Sequence, residues 1–224
     1  MHGPFSLPPL EAALISEAIA WSALAVLAPA LAPPAARQFK ARWPRAYPFL
    51  APLAPWLHGV AIAYLALFLG SIPERDFGLR GFPAVSWAYA LPICALALAA
   101  ARWAGHYLAP FFEGADPWLR WLDEPRFALY RATGILWLGS APLGIAAGLA
   151  LAVAEWAIRA FARQGPRRTP PELPLRALLS AALFLFTRNF WATAGMQLIL
   201  LLLLGRAQTA ARPSTSRPEA GSAS

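Results

Sequence analysis

Residues 127–158 and 173–204 form two apolar blocks, each longer than a membrane is thick. A helix through the first would be about 48 Å long at 1.5 Å per residue, against a hydrocarbon core of about 30 Å. Each block carries a polar interruption near its middle, Gly139-Ser140-Ala141-Pro142 in one and Thr187-Arg188-Asn189 in the other. A guanidinium left at mid-membrane costs several kcal/mol. The sequence therefore predicts that each block folds back as a hairpin, with short limbs over residues 127–138 and 175–186 and Arg188 among the headgroups. Short, interrupted segments of this kind are common where membrane proteins line a functional cavity.

Further apolar runs cover residues 12–32, 49–69 and 84–103. The first resembles a signal peptide at Ala30-Leu31-Ala32. However, residues 1–10 hold no Lys or Arg, and Glu11 and Glu17 follow, so it reads as a retained helix. Residues 104–126 mix Trp118, Leu119, Trp121 and Leu122 with Glu113, Asp116, Arg120, Asp123 and Glu124, a pattern suited to an interfacial amphipathic segment. Composition agrees with a membrane chain. Hydrophobic residues make up 58% and charged residues 13%, about half the charge of a soluble domain. Cys94 is the single cysteine, which excludes an internal disulfide and a cysteine-based zinc knuckle.

The net charge of +8 is distributed with a bias. With the N-terminus outside and both blocks folded back, fifteen of the nineteen Lys and Arg residues lie on the inner side, including Arg159, Arg163, Arg167, Arg168 and Arg176 in one loop. A single crossing of residues 127–158 would put that loop outside, against the positive-inside tendency. The expected fold is an all-α polytopic membrane bundle of six or seven segments, with two short-helix hairpins. It spans residues 1–206, with a disordered cytoplasmic tail at 207–224. A multi-pass location in the cell membrane follows, with the N-terminus outside and the C-terminus cytoplasmic. The basic excess serves orientation and headgroups, and no nucleic-acid partner is expected because no basic stretch interleaves with aromatics along a groove.

Four short stretches, in order, resemble the CPBP family of CAAX-protease and bacteriocin-processing intramembrane proteases. Asp76-Phe77-Gly78-Leu79-Arg80 is similar to that family's "GLR" entry before a span. Asp123-Glu124-Pro125-Arg126 falls where the family has paired glutamates and an arginine. Pro142-Leu143-Gly144-Ile145 through Glu155-Trp156 resembles the following helix, which should end in Phe-x-x-x-His. Thr187-Arg188-Asn189-Phe190-Trp191 through Gln197 resembles a turn and helix that should carry a histidine and then an asparagine.

The resemblance implies a glutamate that activates water, and histidine and asparagine that steady an oxyanion. It points to Asp123, Glu124, Glu155 and Gln197 as catalytic positions and to Arg126, Arg131 and Asn189 as substrate-binding ones. The chain departs from the pattern at these positions. The first glutamate is Asp123, and Ala128 stands where an arginine is expected, with Arg126 and Arg131 as substitutes. The first histidine falls on Glu155 and its leading phenylalanine on Leu151; the second histidine falls on Gln197 and the asparagine on Leu201. Losing an oxyanion donor costs about 10²–10³-fold in rate. The resemblance thus implies a degenerate, non-catalytic member that binds membrane peptides or proteins. The alternatives are a divergent glutamic-type endopeptidase and a structural accessory subunit of a membrane complex. No cofactor and no metal are expected, since no helical His-x-x-x-His pair exists.

The same residues have plainer readings. Glu155 lies four before Arg159 and suits a helical ion pair at the membrane edge. Asp123-Glu124 ahead of Pro125 suits an acidic first turn. His58 and Gln197 suit hydrogen bonds between helices, with ligand binding by His58 left open.

Overall fold

The structure, a computed structural model, describes residues 9–79, 84–108, 120–162 and 172–211. Among them all regular structure is helical. Helix α1 is Pro9–Arg42, α2 Tyr47–Phe68, α3 Glu74–Phe77 and α4 Ala84–Leu108. Helix α5 is Glu124–Leu138, α6 Ala141–Ala162, α7 Glu172–Thr187 and α8 Phe190–Ala211. Helices α1, α2 and α6 are long and apolar enough to cross a membrane, and α4 and α8 carry shorter apolar stretches at Ala90–Ala100 and Phe190–Leu203. The chain is a helical membrane protein. Residues 109–119 of the expected interfacial segment lie outside the described residues.

Both apolar blocks bend at their polar breaks. Helix α5 ends at Gly139, whose φ of 61° is the left-handed cap that glycine adopts without strain. Helix α6 starts two residues later. The hairpin closes tightly because its facing surface has no side chains at Gly134, Gly144 and Gly148. A Cβ on Gly144 would collide with the backbone of Gly134 and Ile135, and one on Gly148 with that of Tyr130 and Arg131. Helix α7 ends at Arg188, held at φ 49°. Asn189 then caps α8, its side-chain oxygen accepting from the Ala192 N–H at 3.0 Å. The Phe190 N–H, an orphan donor of that first turn, reaches the Gly78 carbonyl at 3.1 Å and ties α8 to the α3 loop. Helix α8 continues past Arg206 to Ala211, through residues Ala207, Gln208 and Ala210 that favour helix. Residues 212–224 lie outside the described residues.

The short limb α5 is the centre of the bundle. It packs against α1, α2, α3, α6, α7 and α8, and every residue from Glu124 to Gly134 is buried. Phe127, Leu129, Tyr130 and Ala132 join Ala18, Ala25, Ala63 and Phe77 in the main apolar core. A second core, around Leu183, Met196 and Leu200, seats α4 against the α7–α8 hairpin through Ile93 and Leu98. Hydroxyls stitch α1 to α5: the Ser22 and Thr133 oxygens lie 2.8 Å apart, and Thr133 donates to the Ala18 carbonyl at 3.3 Å. Glu17 accepts from Ser71 at 2.9 Å, a partner from the turn after α2.

Three prolines in the first half of α2 break it into short helical turns, and around Leu57–Ala61 the coil widens to an i→i+5 pattern. Gly59 in that wide turn faces the Leu122 carbonyl with no room for a Cβ. The widening presents His58 to the ends of α5 and α6. Replacing Gly148 by Val should separate α5 from α6 and cost about 1–3 kcal/mol, the usual penalty of overpacking. Thermal unfolding in detergent reads it, and an unchanged midpoint would contradict so close an approach of the two helices.

Candidate functional site

Helix α5 carries Glu124, Arg126, Tyr130 and Arg131 into the interior, where each charge must find a partner. Two networks result, on opposite sides of the helix. In the first, Arg131 Nη2 donates to Glu124 Oε1 at 3.0 Å, and Ser180 Oγ of α7 donates to the same oxygen at 2.8 Å. Arg131 also reaches Ser180 through Nη1. Its guanidinium lies 4.5 Å from the centre of the Phe184 ring, a cation–π contact. Glu124 is completely buried. Its second oxygen, Oε2, has no hydrogen-bond partner among the described residues.

The second network centres on Glu155 of α6, also completely buried. Its Oε2 accepts from Arg126 Nε at 2.9 Å and from the Tyr130 hydroxyl at 3.0 Å. Its Oε1 pairs with Arg159, one helical turn on. Arg126 forks onward, through Nη2 to Asp123 Oδ1 at 2.7 Å and through Nη1 to His58 Nδ1 at 2.8 Å. Since His58 Nδ1 faces guanidinium N–H donors, it accepts, and the ring proton sits on Nε2. That proton goes to the Ala25 carbonyl at 3.0 Å. Pro29, four residues on in α1, has no N–H to offer that carbonyl. The proline creates the acceptor that fixes the histidine tautomer.

Asp123 links this network to α7. Arg176 Nη1 donates to its Oδ2 at 2.8 Å, and Glu172 bridges Arg176 at 3.5 Å and Arg120 at 2.9 Å. Burial alone would push the Asp123 carboxyl up, but the guanidiniums of Arg126 and Arg176 override it and hold the group well below the usual carboxylate range. A carboxylate depressed in this way stabilises the fold above its unfolded pKa of about 3.9, and the contribution is lost as pH falls toward the folded value.

The sequence-predicted residues therefore divide. Asp123, Arg126 and Glu155 meet in one network. Glu124 and Arg131 meet in the other. Gln197 joins α8 to α7 by donating to the Arg176 carbonyl at 2.9 Å, and Asn189 uses its oxygen as a helix cap. Ser180, Tyr130, Arg176 and Glu172 complete the networks without having been singled out. Two local signals existed: Tyr130 stands four after Arg126, and Arg176 four after Glu172. Among the described residues no three His, Cys, Asp or Glu side chains converge as a metal site would require. Beside the second network lies a cavity of about 390 Å³, with His58, Arg120, Asp123 and Arg159 on its polar side. In comparisons with known proteins the chain matches no family model, no curated protein and no solved structure.

Removing one partner of a buried ion pair strands the other charge, which typically costs about 3–5 kcal/mol. Arg131→Met should incur a loss of that order, and Glu124→Gln combined with Arg131→Met should recover most of it. A double-mutant cycle on unfolding in detergent measures the coupling; additive losses would show that the pair is not mutually compensated.

Proposed function

We propose that the chain is a non-catalytic membrane protein built on a CPBP-like plan, which binds membrane peptides or proteins without cutting them. The observation that carries this reading is the commitment of both buried carboxylates. Glu124 is held by Arg131 and Ser180, and Glu155 by Arg126, Arg159 and Tyr130. A general base must reach the proton that it abstracts, directly or through one water. Neither carboxylate has the reach, since both are completely buried. Oxyanion stabilisation needs donors aimed into an open site. The Gln197 amide donates to a backbone carbonyl instead, and the His58 Nε2 proton to another. The pairing that replaces the family's histidines fills the site with structure.

We place seven segments across the cell membrane, with the N-terminus outside and the C-terminus in the cytoplasm. The arginine-rich stretch between α6 and α7 supports this orientation. The bends at Gly139 and Arg188 support it too, because each turns a chain too long for one crossing.

The full chain reconstituted in liposomes should retain a labelled apolar peptide intact and cleave no member of a quenched fluorogenic peptide library. Glu124→Gln and Glu155→Gln should likewise cleave nothing. Cleavage by the wild type that either variant abolishes would establish a peptidase and end this reading. For the orientation, a C-terminal fluorescent-protein fusion should fluoresce and a C-terminal phosphatase fusion should be inactive; the reverse pattern would invert the topology.

A further inference from the structure

The cavity between α1, α2 and the ends of α5 and α6 has two unlike sides. One wall is apolar and short-chained: Ala28, Pro29, Ala32 and Pro33 from α1 face Ala54 and Pro55 from α2. The other side holds His58, Arg120, Asp123 and Arg159. Its volume of about 390 Å³ falls within the range of about 300–1,000 Å³ usual for small-ligand sites.

The charge on the polar side is unbalanced. Two guanidiniums and one carboxylate line it, and His58 already accepts from arginine, so the lining carries one net positive charge. The imbalance persists one layer deeper. Among the described residues of the network, Arg120, Arg126, Arg159 and Arg176 face Asp123, Glu155 and Glu172. Arg159 is the group placed to use the surplus. Its Nη2 serves Glu155 and His58, and the side chain, which lines the cavity, keeps 22% of its surface exposed.

The outer surfaces of α1 and α2 are apolar as well, with Leu27, Leu31, Leu53 and Leu57 exposed. In a bilayer such faces meet acyl chains. A ligand that matches all of this needs one negative charge for the guanidiniums and a flexible apolar chain for the alanine and proline wall. A guanidinium fork suits phosphate or carboxylate oxygens.

We propose that this cavity binds an anionic membrane lipid, its singly charged head on Arg159 and an acyl chain along the wall between α1 and α2. The proposal does not rest on the proposed peptide-binding role. The lipid is a ligand drawn from the surrounding leaflet, held at the polar end of the bundle where the networks of α5, α6 and α7 converge.

The test uses the full chain purified in a neutral detergent, with native mass spectrometry and thermal unfolding as readouts. Phosphatidylglycerol should bind as a single retained copy and raise the unfolding midpoint saturably, whereas phosphatidylcholine and inorganic phosphate should do neither. Arg159→Gln should weaken phosphatidylglycerol binding at least tenfold. Ala28→Leu, which fills the cavity and leaves every ion pair in place, should do the same and keeps the test valid if the arginine variant fails to fold. Equal retention of phosphatidylcholine would remove the charge argument. Equal stabilisation by inorganic phosphate would reduce the site to a headgroup pocket. Binding untouched by Ala28→Leu would place the lipid elsewhere, and displacement of the lipid by an apolar peptide with a free carboxylate would make the cavity a peptide site. Any of these outcomes overturns the proposal.

Discussion

A charge inside a membrane protein must be paired, and helix α5 brings three into the centre of this one. Glu124, Arg126 and Arg131 are all buried, within a helix of fifteen residues that touches most of the bundle. In a low-dielectric interior an unpaired ion of this kind is displaced or neutralised, and Glu124 and Arg131 answer this within α5 itself, pairing at 3.0 Å. The remaining partners come from three other helices: His58 from α2, Glu155 from α6 and Ser180 from α7. The bend at Gly139 is the geometric means by which Glu155 arrives. The charge pattern and the topology are one constraint seen at two scales.

Pairing also decides chemistry. A carboxylate that holds two guanidiniums contributes specificity of packing and is unavailable for moving protons. Glu155 is balanced by the cations Arg126 and Arg159, with Tyr130 filling a further lone pair. Gln197 spends its donor on the α7 backbone. Both groups therefore face the protein. The cavity remains beside them, lined on its polar side by the outer members of the same network.

Much of the fold was legible because it follows from length and polarity. The overlong blocks, their polar breaks and the asymmetry of arginine together predicted where the chain turns back. The pairing of Glu155 with Arg159 was readable from their spacing, but as a pair at the membrane edge, whereas Glu155 is completely buried; Gln197 was readable as a bond between helices from an amide in an apolar run. Contacts across the fold were not readable. Nothing local links Ser180 to Glu124, Arg176 to Asp123, or Ser71 to Glu17, since each pair is at least fifty residues apart. The position of His58 had a partial signal, because Pro29 leaves the Ala25 carbonyl in need of a donor, but the sequence does not say which helix supplies it. The same limit applies to Asn189: its place after a helix suggests a cap as readily as a ligand contact, and only the turn geometry separates them.

The central claim is that Glu124 and Glu155 are committed to arginine and closed to reagents. Dicyclohexylcarbodiimide, a membrane-soluble reagent that modifies protonated, reachable carboxyl groups, tests this directly when followed by peptide mass mapping. The account predicts that neither residue is labelled in the native protein and that Glu124 becomes reactive once Arg131 is removed. Stoichiometric labelling of Glu124 or Glu155 in the native chain would reveal a reachable acid of the kind a catalytic site needs, and would contradict the account.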